Sequence, residues 1–324
     1  MAVEKRPDIK IFVSHRIDLD SATPDSSIYV PVRCGAIMDP RKKYPYCGDD
    51  SGDNISDKRM SFCELTVQYW AWKNAEADYY GLCHYRRYFS FSDKQYEVNP
   101  WYLICEPAIH PISIAEHKLE DEGLIAQEVA KYDAIVAVTA PVDNRSFAGP
   151  IPTNVEEFWA AYDGIFYETK YRKLLLRLVE EMAPEYAESA KEYFASKWER
   201  GFNCFIMKKD LFHKFCEFEF PILFEMERRM DTSGYDEGMK RCPAYFGEII
   251  YGIFVHYLIN HSAYKVKESY LVFFDSTKPD CGNWQYKLLC LKFAIKSNLR
   301  KVAEVIFPIG TRRRQWLKLM LRKF

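Results

Sequence analysis

Residues 61–89, SFCELTVQYWAWKNAEADYYGLCHYRRYF, contain the pattern that decides the fold. Apolar residues recur at helical spacing over 62–74, and Ser61 and Glu64 match the capping box that begins many helices. The β-rich run over 78–83 then predicts a buried strand, which carries two arginines at its carboxyl end. A helix followed directly by a buried strand is typical of α/β proteins.

The same alternation continues through the chain. The expected strands are 9–13, 78–83, 132–138, 202–207 and 264–274, and the expected helices are 62–74, 113–131, 154–197 with a break at Pro184, 208–230 and 248–260. This order predicts an α/β domain with a mostly parallel sheet flanked by helices. Ligands of such sheets bind at the carboxyl ends of the strands.

The composition describes a packed globular protein, because 48% of the 324 residues are hydrophobic and 28% are charged. The net charge of −1 averages two different regions. Residues 287–324 contain eleven basic residues and one acidic residue, so the first 286 residues carry a net charge of −11. No Gly/Ser or Pro linker divides the first part, which predicts one large domain over 1–286 and a basic tail over 287–324.

An acidic body argues against nucleic acid as a partner, whereas a basic tail favours an anionic one such as a membrane surface. The ten cysteines form no Cys-x-x-Cys pair and no zinc-finger spacing with histidine, so reduced thiols are expected. The N-terminus lacks the apolar stretch of a signal peptide, and no uninterrupted run of 18 apolar residues occurs. These features predict a cytosolic protein or one on the cytosolic face of a membrane.

Several enzyme classes are disfavoured by missing motifs. The chain has no Gly-x-x-x-x-Gly-Lys-Ser/Thr loop and no Gly-x-Gly-x-x-Gly after a strand, which argues against P-loop and dinucleotide enzymes. Gly-x-Ser-x-Gly and His-Glu-x-x-His are also absent, which weakens hydrolase and metalloprotease interpretations.

His84, Arg86 and Arg87 follow a buried strand and should emerge where a ligand binds. Arginine offers planar multidentate donors suited to phosphate, and histidine beside it can donate to phosphate or ligate a metal. The alternative is that these cations form salt bridges with the acidic body.

A carboxylate-rich loop precedes the first helix and contains Asp49, Asp50, Asp53 and Asn54. Its oxygens suit a divalent metal, with Asp50 and Asp53 as weak candidate ligands, or a ribose hydroxyl. A plain exposed turn has the same composition, so both interpretations stay open.

Three further positions are weaker candidates. Asp18-Leu19-Asp20 is formally an Asp-x-Asp, although such matches often arise by chance. Glu248 is expected to begin a helix, where the helix dipole favours an ionised general base or serves only the helix itself. His15 ends the first strand, where a structural histidine is the commoner case.

Several segments together resemble a family of capsular and exopolysaccharide glycosyltransferases, long described only as a domain of unknown function and grouped in the GT-A clan. The resemblance covers about residues 9–275 and is most specific over 49–89. The matching segments are 11–15 (IFVSH), 29–36 (YVPVRCGA), 49–56 (DDSGDNIS), 63–65 (CEL), 69–74 (YWAWKN), 80–89 (YGLCHYRRYF), 202–209 (FNCFIMKK) and 245–248 (YFGE).

The resemblance implies a GT-A-like fold and transfer of a sugar from a nucleotide-sugar donor, expected to be a UDP-sugar, to a lipid-linked oligosaccharide. By the order of strands, it places His84-Tyr85-Arg86 where GT-A enzymes keep their Asp-x-Asp, so that fixed cations would take over part of the metal's role at the diphosphate. A divalent cation, Mn²⁺ or Mg²⁺, and a metal-independent mechanism both remain open.

Within this resemblance, Glu248 is the expected base. The expected donor-binding residues are His15, Asp49, Asp50, Asp53, Asn54 and Asn203. Two alternatives are kept: a non-catalytic carbohydrate-binding or scaffold subunit of a polysaccharide assembly complex, and a phosphate-sugar transferase.

The tail fits a peripheral protein on the cytosolic face of the inner membrane. Apolar residues recur every three or four positions from Leu288 to Ile306, next to a basic face. A second basic stretch adds the expected membrane-binding residues Arg312, Arg313, Arg314 and Trp316. The alternative is a helix that packs on the acidic body.

Overall fold

Strands and helices alternate in the computed structural model, which describes residues 6–39, 45–144, 150–278, 282–307, 311 and 313. The strands are β1 (Ile9–Arg16), β2 (Tyr29–Cys34), β3 (Cys47–Gly48), β4 (Tyr79–His84), β5 (Arg87–Phe89), β6 (Ile104–Ala108), β7 (Ala134–Ala137), β8 (Ala140–Pro141), β9 (Trp198–Glu199), β10 (Phe205–Lys208), β11 (Val266–Ser269) and β12 (Leu271–Ser276). The α-helices are α1 (Arg59–Phe62), α2 (Leu65–Asn74), α3 (Pro111–Glu116), α4 (Glu122–Val129), α5 (Val155–Ala160), α6 (Thr169–Met182), α7 (Ala187–Ala195), α8 (Lys209–Arg229), α9 (Cys242–Asn260) and α10 (Asn283–Ile306).

The central sheet has the strand order β11-β7-β10-β4-β1-β2-β3. Neighbouring strands are parallel except around β10, which runs antiparallel to both β4 and β7. A hairpin joins β4 to β5, and β5 leads into β12 and β6 at the side of the sheet. The predicted mostly parallel α/β architecture is therefore confirmed, and the reversal of β10 brings its amino end to the carboxyl edge of its neighbours.

Helices cover both faces of the sheet. Phe12, Tyr80 and Phe205 point into the larger core, which contains apolar side chains of α2, α6, α8 and α9. Ile11 and Ile206 point to the opposite core, formed with α4. Strands buried on both faces have near-continuous apolar sequences, which explains why these strands could be recognised.

Much of the aromatic surplus lies in these cores. The twelve largest fully buried side chains among the described residues are all tyrosine or phenylalanine. Ring pairs such as Tyr80 and Phe212, with centroids 4.6 Å apart, fill the layer between sheet and helices. Core packing is thus a main use of these rings.

The predicted capping box at Ser61 and Glu64 is wrong. The chain breaks at Cys63, whose φ is +49°, so α1 ends at Phe62 and α2 begins at Leu65. Ser61 Oγ donates a hydrogen bond to the Lys58 carbonyl instead of capping a helix. The break leaves the Glu64 side chain available for a contact across the carboxyl edge.

The predicted start of the helix at Glu248 is also wrong. Helix α9 begins at Cys242, and Pro243 occupies its first turn, where a missing N–H costs nothing. Glu248 therefore lies in the second turn, and since dipole effects fade within the first turn, this helix end does not explain an ionised Glu248.

The tail begins earlier than the predicted boundary at 286/287, because α10 starts at Asn283. The Tyr286 ring is buried and stacks on His110 with centroids 4.2 Å apart, which fixes the helix to the body. The opposite face exposes a stripe of large apolar side chains: Trp284, Leu288, Leu291, Ile295, Leu299, Val302 and Ile306. Arg313 is exposed, whereas Arg312, Arg314 and Trp316 lie outside the described residues.

Residues 239–260 include α9 and contain a window that is apolar and long enough to cross a membrane. Within the protein, 72% of that window is buried. Burial of this extent is what a core helix shows.

Candidate active site

Side chains from distant parts of the chain meet at the carboxyl edge of the sheet. Strands β1, β2 and β4 end at this edge, and the antiparallel β10 begins there. Helices α2 and α9 also start on this side, because each leads back to the amino end of a parallel strand. The topology therefore brings Arg87, Asn203, Glu64 and Glu248 to one region.

Two arginines occupy the turn between β4 and β5. The Arg86 guanidinium lies 5.1 Å from the centre of the Phe273 ring, and the Arg87 guanidinium lies 4.5 Å from the Phe202 ring. Both Nε–H groups are buried and have no hydrogen-bond partner among the described residues. Aromatic faces thus hold two adjacent cations whose donors are available to an anion.

Burial is the largest influence on Arg87 and lowers its pKa. The charge of Arg86 lowers this pKa further, while the carboxylates of Glu248 and Glu64 raise it. A poorly solvated guanidinium gains more from an anionic ligand than an exposed one does.

His84 lies beside the arginines at the end of β4. Burial lowers its pKa well below the usual value, and the charges of Arg87 and Arg86 act in the same direction. Its ring is therefore neutral near pH 7, and Nδ1 is buried without a partner in the described part of the chain. His84 can serve as a neutral hydrogen-bonding group but does not add a third positive charge.

Glu64 and Asn203 contact each other across the edge. Asn203 Nδ2 donates to Glu64 Oε1 at 3.2 Å, and Asn203 Oδ1 is buried with no partner among the described residues. The residue before each of them has a positive φ, +49° at Cys63 and +63° at Phe202. Strained non-glycine residues of this kind are often found at functional sites, which makes this edge a candidate site.

The start of α9 forms the remaining wall. Arg241 Nε donates to Cys63 Sγ at 3.2 Å, and the Tyr245 ring stacks on Phe166 with centroids 4.1 Å apart. Burial raises the pKa of Tyr245. The charge of Glu248 acts to raise the pKa of Tyr245 and opposes the lowering of the pKa of Arg87, so its carboxylate interacts with both groups.

Asp49, one of the expected donor-binding residues, has a structural role in this loop. It is fully buried, and its carboxylate accepts hydrogen bonds from the backbone N–H groups of Gly35 and Ala36 and from the hydroxyls of Ser56 and Thr66. All of its bonding capacity is used to join the end of β2 to the loop and to α2.

The rest of that loop is partly structural. Asp53 Oδ1 accepts from the Tyr69 hydroxyl at 3.1 Å, and Asn54 Oδ1 accepts from the Ser56 N–H at 3.2 Å. Both bonds are local to the loop and α2, whereas Asp50 is exposed. The interpretation of Asp53 and Asn54 as turn residues therefore has direct support.

His15, another expected donor-binding residue, is also held by structural hydrogen bonds. Its ring is 1% exposed, and its two nitrogens hydrogen-bond Ser21 Oγ at 2.6 Å and Thr23 Oγ1 at 2.7 Å. Burial lowers the pKa of His15 to about 4.

The shifted His15 makes a testable contribution to acid sensitivity. Because its pKa is lower in the folded state, protons bind the unfolded chain first, and stability falls as pH drops from 6.5 towards 4. The free energy of unfolding should fall over this window by up to about 3 kcal/mol from this group. Urea unfolding at several pH values should show a shallower fall for His15→Gln, and identical slopes would contradict this role.

The residues singled out as metal ligands do not form a cluster. Asp18 already pairs with Arg16 at 2.5 Å and Arg59 at 3.1 Å, and the hydrogen bond from Arg16 is the main cause that lowers its pKa to about 2. Across the described ranges, one group brings three ligand atoms within 4.8 Å of each other: Glu192, His256 and His261. That group belongs to α7 and the carboxyl end of α9, away from the arginines. No such group of three ligand atoms lies among the described residues at the arginine edge.

Sequence reasoning missed Glu64, Tyr245 and Phe273 as parts of the site. Glu64 was assigned to a helix cap, and Phe273 was read only as part of a strand. The available signals were the segments 63–65 and 245–248, which contain Glu64 and Tyr245 and carry the family resemblance.

Comparisons with known proteins agree with the fold. Residues 10–261 match a family model described as a domain of unknown function, DUF4422. A solved structure of WbbM, a bifunctional glycosyltransferase in its apo form, superposes with a TM-score of 0.75 at 29% sequence identity, covering 83% of this chain and 45% of that one. No curated protein sequence matched significantly. Because the model covers most of its length, this chain belongs to the DUF4422 family.

Proposed function

We propose that this chain is a glycosyltransferase that moves a sugar from a nucleotide-sugar donor to a hydroxyl of a glycan in the synthesis of bacterial surface polysaccharide. The likeness to WbbM supports transfer chemistry, although the chain spans only 45% of that protein. The observation that carries the proposal is the pair of half-buried arginines, Arg86 and Arg87, whose buried Nε–H groups have no partner among the described residues and which lie beside Glu64, Asn203 and Glu248.

In this proposal Arg86 and Arg87 bind the diphosphate of the donor. Charge builds on the diphosphate as the bond to the anomeric carbon breaks, and fixed guanidinium donors stabilise that charge without reorganisation. Asn203 Oδ1 and His84 Nδ1 are the nearby polar atoms free to orient the donor. We derive no step through a metal, because the described residues at this edge do not group as metal ligands.

Glu248 is the proposed base that takes the proton from the attacking hydroxyl. Its carboxylate interacts with Arg87, while Glu64 already accepts from Asn203. Arg87 favours the ionised form of Glu248, which a base requires.

Glu248→Gln should lower kcat by about 10²–10⁴-fold, since an amide cannot accept the proton. The measurement is steady-state transfer with the donor identified as described below. Glu225→Gln on α8, where the side chain is 20% exposed and pairs with Arg228, serves as the control and should keep wild-type turnover. A folded Glu248→Gln enzyme with full kcat would remove Glu248 from the mechanism.

The proposed function is tested by screening UDP-, GDP-, CMP- and dTDP-sugars for thermal stabilisation, with and without Mn²⁺ or Mg²⁺, followed by an assay of nucleotide release with glycan acceptors. A UDP-sugar that stabilises the protein and turns over supports the proposal. Glycan binding without any nucleotide binding would favour the non-catalytic carbohydrate-binding subunit instead.

We also propose that α10 attaches the protein to the cytosolic face of the inner membrane, near a lipid-linked acceptor. The exposed apolar stripe suits the membrane interface, and each basic residue near anionic lipid contributes about 1 kcal/mol.

Full-length protein should float with vesicles that contain anionic lipid and remain unbound with neutral ones. Replacing Leu291 and Leu299, which are 59% and 65% exposed, by glutamate should abolish flotation. Ile259→Glu, at an exposed position on α9, should leave it unchanged. Equal flotation of both variants would contradict the membrane role of α10.

A further inference from the structure

A cavity of about 630 Å³ lies between α10 and the strands β6 and β12. Its floor includes Cys105 and Phe273, and one wall is formed by Cys290, Phe293 and Asn298 of α10. The loop over 97–100 closes the rim. The cavity is therefore built from parts of the body and of the tail helix together.

Strand register connects this cavity to the arginines. Arg87 on β5 pairs with Phe273 on β12, and Phe273 pairs with Cys105 on β6. Directly paired residues share a face of a sheet, so these three side chains form a row. The Arg87 guanidinium lies 5.7 Å from the centre of the Phe273 ring, which also lines the cavity. A ligand in the cavity thus has one end beside the proposed diphosphate site.

The lining chemistry differs from that of the arginine turn. Glu97, Glu106 and Asp275 supply three carboxylates against the single ammonium of Lys296. This balance repels phosphate, whereas carboxylates suit the hydroxyl groups of a sugar as hydrogen-bond acceptors. Phe273 offers an apolar face for stacking on a sugar ring. The cavity thus fits a neutral, hydroxyl-rich ligand and not the nucleotide.

Helix α10 has one face on the cavity and another exposed to the outside. Phe293 and Asn298 line the cavity, while Leu291, Ile295 and Leu299 point outward and are exposed. The same helix therefore joins a sugar-compatible cavity to an apolar stripe suited to lipid. A glycan whose lipid end lies in the membrane would reach this cavity first.

We propose that this cavity is the acceptor subsite and binds a neutral oligosaccharide with its reacting end towards Arg87. The inference rests on the proposed function, because it names where that reaction takes its acceptor.

Two cysteines of the chain allow a direct test. Cys290 lines the cavity, whereas Cys47 is exposed on β3. The rate of alkylation by N-ethylmaleimide is measured for each by peptide mass spectrometry, with and without neutral trisaccharides of glucose, galactose, mannose and N-acetylglucosamine. At least one trisaccharide should slow alkylation of Cys290 by about tenfold at saturation and leave Cys47 unchanged.

Asn298→Trp should fill the cavity mouth and abolish the protective effect, and Asn260→Trp on α9 is the matched control. UDP titration of the wild-type protein runs in parallel. If UDP binds but no trisaccharide protects Cys290, or if protection survives Asn298→Trp, the acceptor subsite is wrong while the proposed function stands. If neither UDP nor any trisaccharide binds, both are wrong.

Discussion

Arg87→Ala is expected to lower kcat/KM for the nucleotide-sugar donor by about 10²–10³-fold, the cost typical of losing one preorganised donor to a developing anion. The guanidinium is buried between Phe202 and Phe273, and its Nε–H has no partner within the described residues. Such a donor costs the folded protein free energy unless a ligand uses it. The diphosphate is the ligand that this account assigns to it.

A conservative replacement of Arg87 separates the effect of its charge from that of its donor geometry. Arg87→Lys keeps the charge but loses the planar multidentate donors, so it should retain part of the activity and fall between wild type and Arg87→Ala. Arg228→Ala removes an exposed arginine that pairs with Glu225 on α8 and should behave as wild type. Near wild-type kcat/KM for Arg87→Ala would exclude Arg87 from the donor site.

Asp49→Ala is expected to destabilise the fold by about 3–5 kcal/mol, the range for removing one partner of a buried charged network. The substitution leaves the N–H groups of Gly35 and Ala36 and the hydroxyls of Ser56 and Thr66 without their acceptor. Four unsatisfied donors at about 1 kcal/mol each, the low end for a buried group, account for a total of this size.

Urea unfolding measures this difference against a control in the same loop. Asp53→Ala removes an exposed carboxylate that accepts a hydrogen bond from the Tyr69 hydroxyl, so its effect should stay within about 1 kcal/mol. Equal unfolding midpoints for the two variants would mean that Asp49 does not hold the loop.

The elements that sequence predicted correctly are those whose signal is local. Strands β1 and β4 are buried on both faces and therefore have continuous apolar sequences. The reversal of β10 has no such signal, because strand direction depends on the connections around it. The break at Cys63 was hidden by a Ser61 and Glu64 spacing that fits a helix cap, and tertiary contacts of Glu64 with Asn203 prevail over that local preference.

The difference between local signals and tertiary contacts also explains which site residues could be predicted. Arg86 and Arg87 could be predicted because any side chain that follows a buried parallel strand reaches the ligand edge. His15 and Asp49 also follow strands at this edge, yet both are buried and hydrogen-bond to hydroxyl groups of the protein. His15 bonds Thr23, and Asp49 bonds Thr66. No sequence motif identifies these hydroxyl groups in advance. The sequence indicated Glu248 through an incorrect helix start. The proposal that Glu248 is the base now depends on its interaction with Arg87.

The most direct test of the central claim, that the arginine turn binds a diphosphate, is calorimetric titration of UDP and of uridine in the presence of EDTA. UDP should bind at least about 100-fold more tightly than uridine, or about 2.7 kcal/mol, and Arg87→Ala should remove most of that difference. Equal affinities of UDP and uridine for the wild-type protein would contradict the assignment of Arg86 and Arg87 to the donor.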